Sequence, residues 1–278
     1  MIVQTMSYPG IYHVLEDAAP KIRYKTEQLR EKTSKFFKRE VRKFPAWKYY
    51  EYTIPATKDT YIIYFYAENA LAADKPISGS FCYLRHWDPC KVMIIGAIAP
   101  EVQAFKMECK VLFDYSIHFF ERYRERLLKN TKITIIETIC RFFSKNGLIF
   151  NLCDADNRLW NGIKDEITQE RIEGKYALQL RDGLELAQGI EFLRKNSAKD
   201  SLPEMIVFTA LTFVSRDMYF SDQSDSSNEQ AIIMAKNYLE TAAKFPTDPR
   251  DFAEILWQNS LRERIKDLES TLNNKGDW

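Results

Sequence analysis

The sequence predicts an α+β protein: a mostly antiparallel β-sheet with packed helices, and helical flanks at the N- and C-termini. Runs rich in aromatic and β-branched residues follow one another after residue 46, and Pro, Gly or Asp separate several of them, as is typical of an antiparallel meander. Helical periodicity and capping residues occur on both sides of these runs. The predicted strands of the meander are residues 47–54, 60–66, 80–85, 91–98 and 105–115.

A long basic helix is predicted ahead of the meander, over residues 17–43. Ile22, Leu29 and Phe36 recur every seven residues, and Lys and Arg occupy the other faces. Pro20 would then lie in the first turn, where proline is tolerated. The pattern predicts one buried stripe on an otherwise charged helix.

Two helices are predicted after the meander. The first covers residues 116–130. The second begins at a capping box, Thr134 with Glu137 three residues later, and ends at Asn146-Gly147.

A β-hairpin and a buried strand complete the predicted sheet. The hairpin pairs residues 175–181 with 184–191 around the turn pair Asp182-Gly183. Residues 205–215 form an apolar run, which indicates a strand buried on both faces.

A Ser- and Asp-rich stretch at residues 221–227 is the predicted linker. It divides an α+β core with the basic N-terminal helix, residues 1–220, from a C-terminal helical hairpin, residues 221–278. The hairpin consists of helices over residues 226–245 and 249–273, packed on the core or on a partner. The last helix carries an apolar stripe that we expect to be buried: Ala253, Trp257, Leu261, Ile265, Leu268 and Leu272.

Composition excludes several functions. The chain has only 9 Gly and contains no GxxxxGK[ST], GxGxxG, GxSxG or HExxH pattern, which argues against common nucleotide-binding loops, hydrolases and metalloproteases. The first ten residues lack the basic and apolar regions of a signal peptide, and no apolar run reaches the ~20 residues that span a bilayer. Five scattered cysteines fit a reducing compartment, so we expect a cytoplasmic protein.

Charge is distributed unevenly along a chain whose net charge is only +1. Residues 21–48 carry eleven Lys and Arg against three Glu, whereas residues 221–278 carry seven basic and eleven acidic residues. Two interpretations fit this asymmetry. The N-terminal segment binds an anionic partner such as nucleic acid, or the two ends attract each other, within one chain or between the subunits of a homodimer.

Aromatic residues interleave with the cations of the basic helix. Phe36, Phe37 and Phe44 stand among Lys and Arg, and basic segments with exposed aromatics can follow a phosphate backbone. The alternative is an ordinary surface helix that packs its apolar stripe inward and solvates its lysines.

The candidate catalytic residues are His118, Arg122 and Arg126. If Ser116 caps the helix, these residues stand at i, i+4 and i+8, one above another on one face. A His that moves protons, beside two guanidiniums that neutralise a phosphate, suits phosphodiester cleavage.

A non-catalytic alternative is local ion pairing on the same helix. Glu121 stands three residues before Arg124, and Glu125 three residues after Arg122. In that case the chain is a protein-interaction or structural module whose terminal helices bind a partner or a second copy. An open cleft holding the His and both Arg favours catalysis, whereas salt-bridged arginines favour the interaction module.

The segment that carries these residues resembles a known group of families, and the resemblance implies a kinship of fold more than an activity. The segment of about residues 115–147 contains the pattern Ser116-x-His118-x3-Arg122-x3-Arg126, followed by a short capped helix. In these two features it resembles small toxin-like bacterial families grouped with RelE-like and BrnT-like ribonucleases.

This resemblance implies a ribonuclease-related fold in which sheet strands follow these helices. It would place Thr212 and Ser215 near the site. The chain departs from the family at Phe119, where a small residue is usual after the His.

No metal or cofactor is expected. The spacing Cys82-x3-His86-x3-Cys90 offers thiolates and an imidazole, but a structural zinc site needs four ligands and no partner pair is evident. A strand over residues 80–85 would instead direct Cys82 into the core. The pair Asp154 and Asp156 lacks the further acidic spacing of a calcium loop.

Overall fold

The protein has 278 residues, and its computed structural model describes residues 1–98, 110–147, 149–153, 166–167, 171–180, 182–192 and 204–215, together with residues 236, 262, 265, 266 and 269. These residues form an α+β fold, as predicted. The elements in chain order are α1 (Tyr8–Glu40), β1 (Ala46–Thr53), β2 (Thr60–Ala67), β3 (Ile77–Leu84), β4 (Lys91–Ile98), β5 (Lys110–Ser116), α2 (Ile117–Tyr123), a π-helical turn (Arg124–Leu128), α3 (Ile135–Asn146), β6 (Ile149–Cys153), β7 (Glu166–Ile167), β8 (Arg171–Gln179), β9 (Gly183–Phe192) and β10 (Met205–Ser215).

The sheet is mixed but mostly antiparallel. Its strand order is β1-β2-β3-β4-β5-β10-β9-β8-β6, with β7 paired to β8. β10 lies parallel to β5, and β6 adds a short parallel pairing with β4. Because β6 pairs with both β8 and β4, six strands form a hydrogen-bonded ring from which β1, β2 and β3 extend.

The strands of the meander and β10 lie close to where the sequence predicts them, whereas β6 and β7 were not predicted. The predicted boundaries of β4 and β10 agree with those observed, and β1 and β2 differ by one residue at one or both ends. β3 begins three residues earlier than predicted. Of the predicted strand at 105–115, the part at 105–109 lies outside the described residues.

The N-terminal helix begins nine residues earlier than predicted. Ser7 caps it, with its side chain accepting from the Gly10 amide at 3.4 Å, and Pro20 therefore lies inside the helix rather than in its first turn. The apolar spacing that the prediction overlooked explains the earlier start, since Ile11, Leu15, Ala18 and Ile22 are all buried.

The caps of α2 and α3 form as predicted. The Ser116 side chain accepts from the Phe119 amide, and that of Thr134 accepts from the Glu137 amide at 3.2 Å. α3 ends at Gly147, which has a φ of 73°.

The β8–β9 hairpin forms, but its turn lies one residue earlier than predicted. The Leu180 amide donates to the Gly183 carbonyl at 2.9 Å, so Gly183 belongs to β9. A Cβ at this position would lie 2.2 Å from the carbonyl oxygen of Val214. Glycine is therefore required by the close approach of β10, not by the turn.

Two apolar cores cover the two faces of the sheet. The first packs α2 and α3 on one face, around Phe113, Tyr115 and Phe208. The rings of Phe113 and Phe208 stack with centroids 5.5 Å apart. The second core packs α1 on the opposite face, where Phe37 and Leu112 are fully buried.

Three contacts fix the direction of α1 across the sheet. Near its start, the Tyr8 hydroxyl donates to Asp114 of β5 at 3.0 Å. Midway, Arg30 donates to the Ser78 hydroxyl of β3 at 3.0 Å, and Thr33 contacts the Tyr50 hydroxyl of β1 at 3.1 Å. The helix thus crosses from β5 towards β1, at the free edge of the sheet.

The predicted linker at 221–227 lies outside the described residues, as does most of the C-terminal hairpin. Of the predicted apolar stripe, Ile265 is described: it is helical and only 8% exposed. Lys236 and Glu269, also helical, form an ion pair at 2.6 Å. Residues of the two predicted C-terminal helices are therefore in contact.

A buried carboxyl group lies beneath α2 and α3. Glu185 is 0% exposed, accepts from the Tyr115 hydroxyl at 2.9 Å, and has no partner for Oε1 among the described residues. Burial raises its pKa to about 8, although the hydrogen bond from Tyr115 opposes the shift. The group is therefore mostly protonated at neutral pH in the folded protein.

We expect the stability of the protein to fall as pH rises from about 4.5 to about 8 because of Glu185. Below this window both states hold the proton; within it the unfolded chain releases the proton that the folded chain retains. Glu185→Gln should remove this contribution to the pH dependence. Between pH 5 and pH 8 the free energy of unfolding of the parent should therefore fall by at least about 1 kcal/mol more than that of the variant. Denaturant unfolding of both proteins at the two pH values measures it, and parallel pH dependences would contradict it.

Candidate nucleic-acid interface

The structure brings together two of the three predicted site residues. His118 and Arg122 lie on the outer face of α2, with Arg122 Nε 3.4 Å from His118 Nε2. Their side chains are 61% and 43% exposed. The predicted i, i+4 arrangement is therefore present at the start of the helix.

Carboxylates accompany both residues. Arg122 forms an ion pair with Glu125 at 3.2 Å, and His118 Nδ1 lies 3.6 Å from Glu121, an ion pair when the imidazole is protonated. The Arg122–Glu125 pair is the local pairing predicted in the non-catalytic alternative. Arg124 instead donates to the Ile133 carbonyl at 3.1 Å.

Arg126 is separated from the other two residues by a change in helix type. The segment Arg124–Leu128 is π-helical, and the Lys129 amide bonds to the Arg124 carbonyl, five residues back. The wider turn rotates Arg126 out of the predicted stack. Its guanidinium donates to the Thr212 hydroxyl at 3.3 Å and to the Phe213 carbonyl of β10.

Of the two residues that the family resemblance placed near the site, Thr212 contacts Arg126. Ser215 is 2% exposed, and its hydroxyl has no hydrogen-bond partner among the described residues. Arg122 pairs with Glu125 at the surface and Arg126 donates to β10, so the two guanidiniums do not form the stacked pair that the sequence predicts. This geometry favours the non-catalytic alternative.

Cys82 lies in β3, and His86 and Cys90 lie in the segment that joins β3 to β4. Cys82 points into the core beneath α1, and burial raises the pKa of its thiol, which keeps it neutral. The Cys90 thiol donates to the Arg85 carbonyl at 3.1 Å. Within the described ranges, no three His, Cys, Asp or Glu side chains are grouped closely enough to hold a metal ion.

A continuous row of cations lies along α1. Five basic residues recur on the side of the helix that faces β1, at spacings of 4, 7, 3 and 4 residues. We call this row, with Lys48 of β1, the basic surface of α1. The row consists of Lys21, Lys25, Lys32, Lys35 and Arg39.

Aromatic rings of the edge strand support these cations. Lys25 Nζ lies 5.7 Å from the centroid of the Tyr52 ring, and Lys32 Nζ lies 6.0 Å from that of Tyr50. Lys48 lies 4.6 Å from the Phe36 centroid. The rings attract the ammonium groups and hold them along the contact between α1 and β1.

Most of these charges lack a carboxylate partner. Among the eleven cations of residues 21–48, Arg30, Lys35 and Lys38 form ion pairs within the described part of the chain. The others keep their charge uncompensated there, and several are exposed to solvent: Lys21, Arg23, Lys32, Arg39, Arg42 and Lys43.

The aromatics named from the sequence are not available to a ligand. Phe37 is fully buried, and Phe36 and Phe44 pack against the core beneath α1. Two aromatic side chains of residues 21–52 are exposed: Tyr24, 69% exposed and flanked by Lys21 and Lys25, and Tyr49 of β1, 37% exposed. The analysis of spacing missed Tyr24, although its position off the apolar stripe was the available signal.

Comparisons with protein families, curated proteins and solved structures give no match. The resemblance to RelE-like and BrnT-like families therefore stays a prediction. No helix within the described ranges is both long and apolar enough to cross a membrane.

Arg122 and Arg126 should respond differently to truncation. Arg126→Ala removes two hydrogen bonds to β10 and should lower the free energy of unfolding by about 1.5–3 kcal/mol, as for bonds from charged donors. Arg122→Ala removes an exposed ion pair and should change stability by less than about 1 kcal/mol. Denaturant unfolding compares the two; equal losses would contradict the assignment of Arg126 to the fold.

Proposed function

We propose that the protein binds nucleic acid, without catalysing its cleavage, through the basic surface of α1. The observation that carries this proposal is the row of cations between α1 and the edge strand, most of them without carboxylate partners in the described part of the chain. Phosphate contacts of this kind supply most of the affinity of sequence-independent binding. A cytoplasmic location accords with the free thiols of Cys82, Cys90 and Cys140.

Single-stranded RNA or DNA is the form that this surface suits best. A cationic groove follows the backbone, while exposed aromatic rings stack on unpaired bases. Tyr24 supplies such a ring beside Lys21, and its high exposure means that the core does not require it. A duplex would present only phosphates and leave Tyr24 unused.

Ribonuclease activity at His118 and Arg122 is a separate hypothesis, and the Arg122–Glu125 ion pair and the engagement of Arg126 by β10 weigh against it. An internal partner is the main competitor for the basic surface of α1, because residues 221–278 are acidic. One of those acids, Glu269, pairs with Lys236 of the same segment.

Neutralising the basic surface should weaken RNA binding. In the triple variant Lys21→Gln/Lys32→Gln/Arg39→Gln, we expect the Kd for a 20-nucleotide single-stranded RNA at low salt to rise about tenfold or more. The slope of log Kd against log salt concentration should fall by about 0.7 for each phosphate that the variant no longer neutralises. Fluorescence anisotropy over a salt series measures both quantities.

The matched control carries the same charge change elsewhere. Lys129→Gln/Lys132→Gln/Lys145→Gln alters exposed lysines on the face of the sheet that carries α2 and α3, opposite α1, and should change Kd by less than about threefold. Equal weakening by the two triple variants would show that net charge alone matters. Absence of RNA binding by the parent, or loss of a folded or dimeric state in the α1 variant alone, would favour pairing with the acidic C-terminal segment. Weakening by Arg122→Ala would move the binding site to α2.

A further inference from the structure

β1 forms one edge of the sheet. Its eight residues pair with β2 alone among the described strands, and β1 stands first in the strand order. An edge strand of this length presents a row of backbone N–H and C=O groups without ladder partners on its outer side. Such a row can bind an extended peptide, which adds to the sheet as a further strand.

The register of β1 with β2 shows which residues direct these groups outward. The Ile54 amide donates to the Asp59 carbonyl at 3.0 Å, so these residues form a hydrogen-bonded pair of the antiparallel ladder. Such pairs recur at every second residue, and the even-numbered residues of β1 therefore bond to β2. The Thr53 and Thr60 hydroxyls lie 3.1 Å apart, as expected for the closer pairs in between. Residues 47, 49, 51 and 53 thus direct their amides and carbonyls away from the sheet.

Cations border this edge on the side of α1. Lys32 and Lys48 each lie 6.0 Å from the centroid of the Tyr50 ring, and Lys25 lies 5.7 Å from that of Tyr52. These three lysines form no ion pair within the described part of the chain. Two ammonium groups at one ring repel each other, and a carboxylate placed between them would remove that repulsion.

The side of the edge that carries α2 and α3 offers no free cation among the described residues of β1. Tyr49 is exposed near the middle of the strand, and Arg85 pairs with the Glu51 carboxylate at 2.6 Å. Trp47 packs against the core beneath α2 and α3. An added strand would therefore meet unpaired lysines on one side and an aromatic ring on the other.

A second copy of the chain fits this edge poorly. Pairing of β1 with β1 of another copy would bring the two basic surfaces of α1 together, and like charges side by side are destabilising. In the acidic segment at residues 221–278, the described residues, such as Ile265 and Glu269, are helical and therefore do not supply a strand. The charge of the edge favours an acidic partner instead.

We propose that β1 binds an extended acidic peptide of a partner protein by strand addition. The peptide lies antiparallel to β1, the slightly more stable arrangement, and exchanges backbone hydrogen bonds with residues 47, 49 and 51. Side chains of a strand alternate between its faces, so carboxylates at every second position meet the lysines beside α1. The β-branched residues between them pack on Tyr49. This site depends on the edge of β1 and not on nucleic-acid binding, although both ligands would contact Lys25, Lys32 and Lys48.

A peptide of about seven residues in which Glu alternates with Thr, the length of the outward row, tests the proposal on the full chain. Fluorescence anisotropy at low salt should give a Kd of about 100 µM or less, and Lys in place of Glu should weaken binding about tenfold or more. Failure of the acidic peptide to bind at about 1 mM, or equal binding of the two peptides, would overturn the proposal.

N-methylated peptides test the backbone contacts directly. In antiparallel addition the Thr amides face β1 and the Glu amides face away from it. Methylation of the Thr amides should therefore abolish binding, whereas methylation of the internal Glu amides should change Kd by less than about threefold. Any other pattern would overturn strand addition in this arrangement.

A matched pair of variants tests the edge itself. Tyr49→Pro removes an outward amide but keeps every charge and the bonds to β2, and an edge strand tolerates proline at such a position. Tyr49→Thr loses the same ring but keeps the amide. Tyr49→Pro should weaken the peptide about tenfold or more relative to Tyr49→Thr. Equal binding by two folded variants would overturn the site, and if Tyr49→Pro does not fold, the methylated peptides decide alone. A parent dimer that Tyr49→Pro converts to a monomer would show that a second copy occupies the edge, contrary to the proposal.

Discussion

The packing of α1 across one face of the sheet depends on a buried carboxylate. Asp114, 1% exposed in β5, accepts from the Tyr8 hydroxyl and from Lys91 of β4 at 2.7 Å. A buried carboxylate is tolerated only when it is paired and hydrogen-bonded. Burial and Asp114 raise the pKa of Tyr8 to about 12, so the tyrosine stays a donor at neutral pH. This cluster fixes the N-terminal end of α1 on the sheet.

The position of α1 then determines where its basic surface lies. With its start held at β5 and its later turns bonded to β3 and β1, the helix crosses the sheet from β5 to the edge strand. One flank of the helix faces the edge strand, where its lysines lie over Tyr50 and Tyr52. The other flank borders a cavity whose lining includes Arg23 and Met93.

Local patterns predicted the elements well. The apolar run at 205–215, the aromatic and β-branched runs of β1 and β2, and the caps at Ser116 and Thr134 each depend on neighbours within a few residues, so the sequence contains enough information to identify them. Pro20 misled the prediction of α1, because the apolar spacing on its N-terminal side continues the helix despite the proline.

The sequence patterns did not predict which strands distant in the chain pair with each other. The parallel pairing of β10 with β5 and the ring closed through β6 join residues far apart in the chain. The same limit applied to the candidate site: the spacing of Arg126 matches that of Arg122, but the π-helical turn and the contact with β10 separate them. Some cations also have a carboxylate partner only through tertiary contacts, as Lys38 has with Asp74.

The central claim is that nucleic acid contacts the basic surface of α1. The most direct measurement is photo-cross-linking of the full chain to a single-stranded RNA containing 4-thiouridine, followed by mass spectrometry of the labelled peptides. The account predicts labels within residues 21–52, with Tyr24 among them, because this segment combines the exposed ring with the unpaired cations. Labels confined to residues 117–128 would contradict it and place the RNA at His118 and Arg122 instead.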